Sequence, residues 1–187
     1  DNRVVTLDST KFDKTEALEY LKDRGISAAE ILQWNIGFDK ADNRIVFPLI
    51  DSYNNVIGFN RRLITKETKG ISKKYIHSSD SDIFKKANYL YGMNHIDRTY
   101  DYIVLTEGVM DCILARKYGL RNVICGLGTS LSQNQIDMIS RTGKELIVVY
   151  DSDRKGIDTM NKVMPLLADN GIRAKLVILP EGKDLAD

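Results

Sequence analysis

Three short apolar runs, each leading into acidic residues, constrain the fold of this chain more than any other feature. The first is Tyr102-Ile103-Val104-Leu105-Thr106, followed by Glu107-Gly108-Val109-Met110-Asp111. The second is Leu146-Ile147-Val148-Val149-Tyr150, followed by Asp151-Ser152-Asp153. The third is Leu176-Val177-Ile178-Leu179-Pro180, followed by Gly182-Lys183-Asp184. Runs rich in β-branched and aromatic residues, bounded by turn formers, read as buried parallel strands. In an open α/β sheet the ligand crevice lies beyond the carboxyl ends of the strands. One crevice is therefore expected to receive Glu107, Asp111, Asp151, Asp153 and Asp184. Carboxylates brought that close repel one another unless a cation lies between them. A hard divalent ion with oxygen ligands, Mg²⁺ first, suits such a set. That chemistry points toward phosphate.

The pattern between these runs is regular. Strands are expected over 102–106, 122–125, 145–150 and 174–179, alternating with helices over 109–118, 132–141 and roughly 156–169. The half before Asn94 reads differently. Helices are expected at Glu16–Leu21, capped by Asp13 or Thr15 and ended by Gly25, and from Ala28 to Trp34. Ser27 and Glu30 have the spacing of a capping box for the second helix, and Gly37 is expected to close it. Leu18, Leu21, Ile26, Ile31, Leu32 and Trp34 read as a small core. Strands follow at 44–50, 56–64 and 74–77, with a turn over 51–55 and a polar loop over 66–72. Pro48 implies an edge position or a bulge. The expected fold class is α/β: a small mixed lobe, 1–99, followed by a Rossmann-like lobe with about four parallel strands, 100–187.

Charge narrows the partner. The chain carries a net +1, yet from Gly58 to Leu90 eight basic residues face three acidic ones, whereas from Asp101 onward basic and acidic residues nearly balance. A basic segment with a carboxylate crevice suits a polyanion held near a metal site. No run of 18 apolar residues is present, which excludes an apolar membrane span, and no signal peptide is visible. The sequence opens at Asp1 without Met and reads as a piece of a longer chain. Cys112 and Cys125 have no metal-ligand spacing and read as buried free thiols in a reducing cytoplasm.

Two of the acidic motifs carry obvious chemistry. Gly108 lets the chain turn after Glu107, and Asp111 lies one helical turn on. Asp151 and Asp153, spaced i and i+2, share a face in extended backbone. Either pair also has a plain reading: helix-start acids for Glu107 and Asp111, an N-cap and a turn for Asp151 and Asp153. Gly126 and Gly128 could open a loop to a nucleotide or form an ordinary turn. Tyr75, Tyr89 and Tyr91 fit core packing better than base stacking. His77 and His95 have no catalytic pattern.

Together, Glu107-Gly108-Val109-Met110-Asp111, Asp151-Ser152-Asp153-Arg154-Lys155-Gly156 and Pro180-Glu181-Gly182-Lys183-Asp184 resemble the motifs of the TOPRIM fold. Upstream, Arg44-Ile45-Val46-Phe47-Pro48, Val56-Ile57-Gly58-Phe59-Asn60-Arg61-Arg62, Lys74-Tyr75-Ile76-His77-Ser78 and Ile83-Phe84-Lys85-Lys86-Ala87-Asn88-Tyr89-Leu90-Tyr91-Gly92 resemble the N-terminal part of a DnaG-type primase core. The resemblance runs in order over nearly the whole chain. It implies synthesis of short RNA primers on single-stranded DNA from ribonucleoside triphosphates, in the cytoplasm of a bacterial or phage-infected cell. It implies Glu107, Asp151 and Asp153 as catalytic metal-site acids, supported by Asp111 and Asp184, with Mg²⁺ as cofactor and Mn²⁺ as a substitute. Arg62, Lys74 and Lys86 match basic positions that meet nucleotide or template phosphates. Arg61, Lys73 and Lys155 join them as candidates. A replicative helicase is implied as a partner through regions of the family outside this sequence. One motif departs from the family: Leu185-Ala186-Asp187 stands where Pro and an acid usually follow the Lys-Asp pair. The rival reading is a TOPRIM nuclease or topoisomerase fragment. None of the nine tyrosines lies in a motif that marks a strand-passing nucleophile.

Overall fold

The computed structural model describes residues 4–6, 16–65, 73–128 and 130–180, with residues 4–6 and Lys155 described by backbone alone. The chain divides into two compact units, Asp1–Ser79 and Asp80–Asp187. Residues 80–101 therefore go with the second unit.

The first unit is an antiparallel sheet with two short helices. Strands β1 (Val4–Thr6), β2 (Gly37–Asp39), β3 (Arg44–Ile50), β4 (Val56–Leu63) and β5 (Tyr75–His77) pair in sequence order. The helices are α1 (Glu16–Asp23) and α2 (Ala28–Gln33). The Ser27–Glu30 capping box forms as expected: the Glu30 carboxylate accepts from the Ser27 backbone N–H at 2.9 Å. Gly25 takes a positive φ after α1, the left-handed conformation that favours glycine at a helix end. Gly37 does not close α2. Asn35 makes that left-handed turn, and Gly37 already lies in β2. Asn tolerates this conformation because its short amide bonds locally, so the glycine was free for the strand. Leu21, Ile26, Ile31 and Trp34 are buried as expected, but Leu32 is exposed. Pro48 sits in an interior strand rather than at an edge. The register shift between Leu49 and Ile50, one residue on, provides the expected irregularity.

The second unit holds a parallel sheet of β6 (Tyr102–Thr106), β7 (Val123–Cys125), β8 (Glu145–Tyr150) and β9 (Ala174–Ile178). Their spatial order is β7-β6-β8-β9. Helices α3 (Val109–Lys117), α4 (Gln133–Ser140) and α5 (Arg154–Asp169) connect them. The core gathers Ile103, Leu105, Ile124, Leu146, Val148 and Tyr150 from the sheet with Ile136 and Ile139 of α4 and Val163 and Leu167 of α5. Residues alternate along each strand, so this is one face of the sheet. Val104, Thr106, Val123, Cys125 and Val149 belong to the other face, and all are buried. Burial on both faces explains why β6, β7 and β8 read as continuous apolar runs; β9, also expected to be buried, is the edge strand, and its Leu176, Val177 and Ile178 are exposed.

The order of connection fixes where a site can form. From β6 the chain moves to β7, then crosses back over β6 to β8. The progression reverses between β6 and β8, and that switch point opens a crevice at their carboxyl ends. Among the described residues no helix is long and apolar enough to cross a membrane.

Candidate active site

Glu107 leaves the end of β6, and Asp151 leaves the end of β8. These strands are neighbours in register, with Thr106 opposite Val149. Adjacent strands lie about 4.8 Å apart, so these two half-buried acids leave neighbouring strand ends at the switch point. The Tyr150 hydroxyl, at the last position of β8, is pushed well above its ordinary range by burial, then by the nearby Cys125 and Glu107 groups. Glu107 thus faces the end of β8.

The surrounding turns are built tightly. The Thr106 hydroxyl donates to the Ile124 carbonyl at 3.3 Å. Gly108 caps α3, and a Cβ there would lie 3.0 Å from Asp111 Oδ2. The Asp111 carboxylate therefore folds back over the start of its own helix, where the macrodipole favours a negative charge. Asp153 is exposed and caps α5, its Oδ1 accepting from the Gly156 N–H at 2.8 Å. Ser152 Oγ donates to the Pro180 carbonyl at 2.9 Å, tying the acidic loop to the end of β9. Asp184, with Lys183 and Asp187, lies outside the described residues.

Among the described residues no three carboxylate, imidazole or thiol groups converge closely enough to hold an ion by themselves. The donor chemistry still fits a hard cation: Glu107 and Asp151 offer oxygen alone. Mg²⁺ is usually held by one or two carboxylates, waters and substrate phosphates, not by an all-protein cage. Acids at two neighbouring strand ends fit that requirement.

The basic candidates fall in both units. In the second, Lys86 Nζ lies against the loop after β7: a Cβ on Gly128 would be 2.8 Å from it. That loop stands on the same carboxyl rim of the sheet as Glu107 and Asp151. Lys155 belongs to the first turn of α5. In the first unit Arg61 Nη1 is 3.5 Å from both Asp39 Oδ2 and Asp42 Oδ2. Lys73 and Lys74 are exposed, and their carbonyls accept from Arg44 at 3.2 and 3.3 Å. Arg62 is only 5% exposed. Its Nε donates to the Tyr20 hydroxyl at 2.6 Å, and its Nη1 donates to the Tyr75 hydroxyl. Burial would lower the guanidinium pKa, but Tyr75 and Tyr20 more than offset it and the net shift is upward. The part played by Tyr20 was not visible in the sequence, because α1 and β4 meet only in three dimensions.

Comparison with known proteins places this geometry. Residues 104–187 match the Toprim-like family, and residues 39–97 match the DNA primase catalytic core, N-terminal domain. The DNA primase of Clostridium acetobutylicum is 31% identical over 183 residues, 93% of this chain. The chain belongs to the DnaG-type primases. It spans only 30% of the length of that relative. The crystal structure of the Aquifex aeolicus primase, comprising zinc-binding and RNA polymerase domains, superposes with a TM-score of 0.81 at 30% identity, covering 93% of this chain and 52% of that one. A DnaG primase catalytic domain bound to single-stranded DNA superposes with a TM-score of 0.74 at 27% identity, covering 92% and 66%. The DnaG-type half and the Toprim-like half occur here in the order of those relatives.

Proposed function

We propose that this segment is the catalytic core of an RNA-primer polymerase that copies single-stranded DNA by divalent-metal-assisted nucleotidyl transfer. The observation carrying this reading is the pair of strand-end acids, Glu107 and Asp151, at the switch point of a chain whose upstream half matches the primase-specific N-terminal domain. That upstream match favours a primase over a TOPRIM nuclease or topoisomerase, neither of which calls for it. The relative solved with single-stranded DNA supports a DNA template.

In this reading a 3′-hydroxyl attacks the α-phosphorus of a ribonucleoside triphosphate and pyrophosphate leaves. Glu107, Asp151 and Asp153 would supply oxygen ligands to Mg²⁺ or Mn²⁺, with water and substrate phosphates completing the shell. A bound divalent ion lowers the pKa of the attacking hydroxyl and neutralises the departing oxygens. Asp111 adds negative charge to this rim, and Asp184 is a further acid of the proposed set. Lys86 and Lys155 in the second unit, and Arg61, Arg62, Lys73 and Lys74 in the first, neutralise triphosphate and template phosphates. Such a core works in the cytoplasm with a replicative helicase.

The test is incubation with single-stranded DNA, labelled ribonucleotides and Mg²⁺ or Mn²⁺. New oligoribonucleotides are expected, whereas shortened DNA alone would identify a nuclease. Glu107→Gln keeps the shape and removes one like charge. It is expected to cut incorporation by about two orders of magnitude or more, with a melting temperature in chelator equal to the parent's or higher. Incorporation at the parental rate would remove Glu107 from the chemistry.

A further inference from the structure

Arg62 is a buried cation without a buried anion. It has no carboxylate partner among the described residues, whereas its neighbour Arg61, on the opposite face of β4, has two. Burying an unpaired charge is costly unless other groups compensate it. Here the compensation comes from neutral groups. Two tyrosine hydroxyls accept from Nε and Nη1. The Tyr20 and Tyr75 rings also lie 5.6 and 5.0 Å from the guanidinium carbon, within cation–π range. Tyr75 reaches this position because it pairs with Arg62 across β4 and β5, and Tyr20 reaches it from α1.

A carboxylate in either place would cancel the charge. The tyrosines orient the fork and leave the charge intact. One nitrogen is left over: Nη2 is buried and has no hydrogen-bond partner among the described residues. Two residues earlier on the same face, Asn60 is 4% exposed, and its Oδ1 is likewise buried without a partner. A pleat thus presents one spare donor on a cation and, beside it, one spare acceptor. An anion flanked by a hydroxyl or amino group, as in a nucleotide, satisfies both.

We infer that Tyr20 and Tyr75 are positioning residues, holding Arg62 so that its Nη2 is reserved for a phosphate oxygen of a nucleotide. This rests on the reading of Arg62 as phosphate-binding given above. Phenylalanine at either position keeps the ring and removes the acceptor that fixes the fork.

The experiment compares the parent with Tyr20→Phe, Tyr75→Phe and the double variant, by calorimetry with inorganic triphosphate and with a ribonucleoside triphosphate. The double variant is expected to bind both probes about five- to tenfold more weakly, with a lower melting temperature, because two buried guanidinium donors lose their acceptors. In primer synthesis its nucleotide KM rises while kcat changes little. Unchanged affinity, with or without a lower melting temperature, overturns the proposal. Should the double variant not fold, the unmutated protein decides: the Arg62 guanidinium resonances must shift on titration with inorganic triphosphate, and a static signal overturns the proposal. Tyrosine-dependent triphosphate binding in a parent that makes no RNA supports the clamp and sinks the primase reading. Primer synthesis with an unchanged nucleotide KM in the variants does the reverse.

Discussion

Gly156 crosses directly over Asp151. A Cβ on Gly156 would lie 2.1 Å from the Asp151 carbonyl oxygen and 2.9 Å from its carbonyl carbon. Both are backbone atoms and cannot swing aside as a side-chain tip would. Gly156→Ala is therefore expected to destabilise the chain by about 3 kcal/mol and to displace Asp151. Urea denaturation in chelator reads the first effect, and primer synthesis reads the second. A variant with the parental midpoint would show that the turn relaxes freely.

Asp153 has two roles that different substitutions separate. Asn caps a helix as well as Asp does, whereas Ala loses about 1 kcal/mol. Asp153→Asn is thus expected to melt like the parent and Asp153→Ala to melt earlier. Each is expected to weaken Mn²⁺ binding, because each removes a ligand charge. Calorimetry showing parental Mn²⁺ affinity in Asp153→Asn would leave Asp153 as a cap alone.

Gly128 gives a milder conflict. An added Cβ would meet Lys86 Nζ at 2.8 Å and Cε at 3.2 Å, the flexible end of a long side chain. Gly128→Ala should change stability by no more than about 0.5 kcal/mol while moving the Lys86 ammonium. Its triphosphate affinity is expected to fall toward that of Lys86→Ala. Full affinity in Gly128→Ala together with loss in Lys86→Ala would mean that the ammonium finds its ligand from more than one position.

His95 predicts a pH dependence remote from the acids. Burial, then the charge of Arg116, lowers its pKa from 6.5. The unfolded chain then binds the proton more readily. The associated stability is present above the unfolded pKa and is lost as pH falls from there toward the folded value. Between about pH 7.5 and pH 5.5 the parent's melting temperature is expected to fall more than that of His95→Gln. Parallel curves would show that His95 titrates alike in both states.

The second unit was legible almost residue by residue, and the reason is physical. β6, β7 and β8, buried on both faces, are uninterrupted apolar runs, and the helices carry their own punctuation, such as the Ser132 cap on α4 and the positive-φ Gly119 and Gly171; only the burial expected of β9 failed, because nothing in its apolar run marks it as the edge strand. The first unit was harder to read. β2 is three residues long and begins at a glycine, so propensity alone suggested a helix end. The strand-end positions of Glu107 and Asp151 followed from pattern. The Arg62 clamp did not, because it joins residues 20, 62 and 75, whose meeting depends on strand register and helix docking.

The crossing between β6 and β8 also sets when the site can exist. Their acids belong to strands that touch in space but are separated in sequence by α3, β7 and α4. Contacts between distant segments close slowly, because the intervening loop must first be ordered. Glu107 and Asp151 therefore stay apart in the nascent chain and repel one another only once β8 has docked. Interactions absent from the folding transition state act mainly on unfolding. Neutralising Glu107 is accordingly expected to slow the opening of the metal-free sheet and to leave its rate of closing almost unchanged.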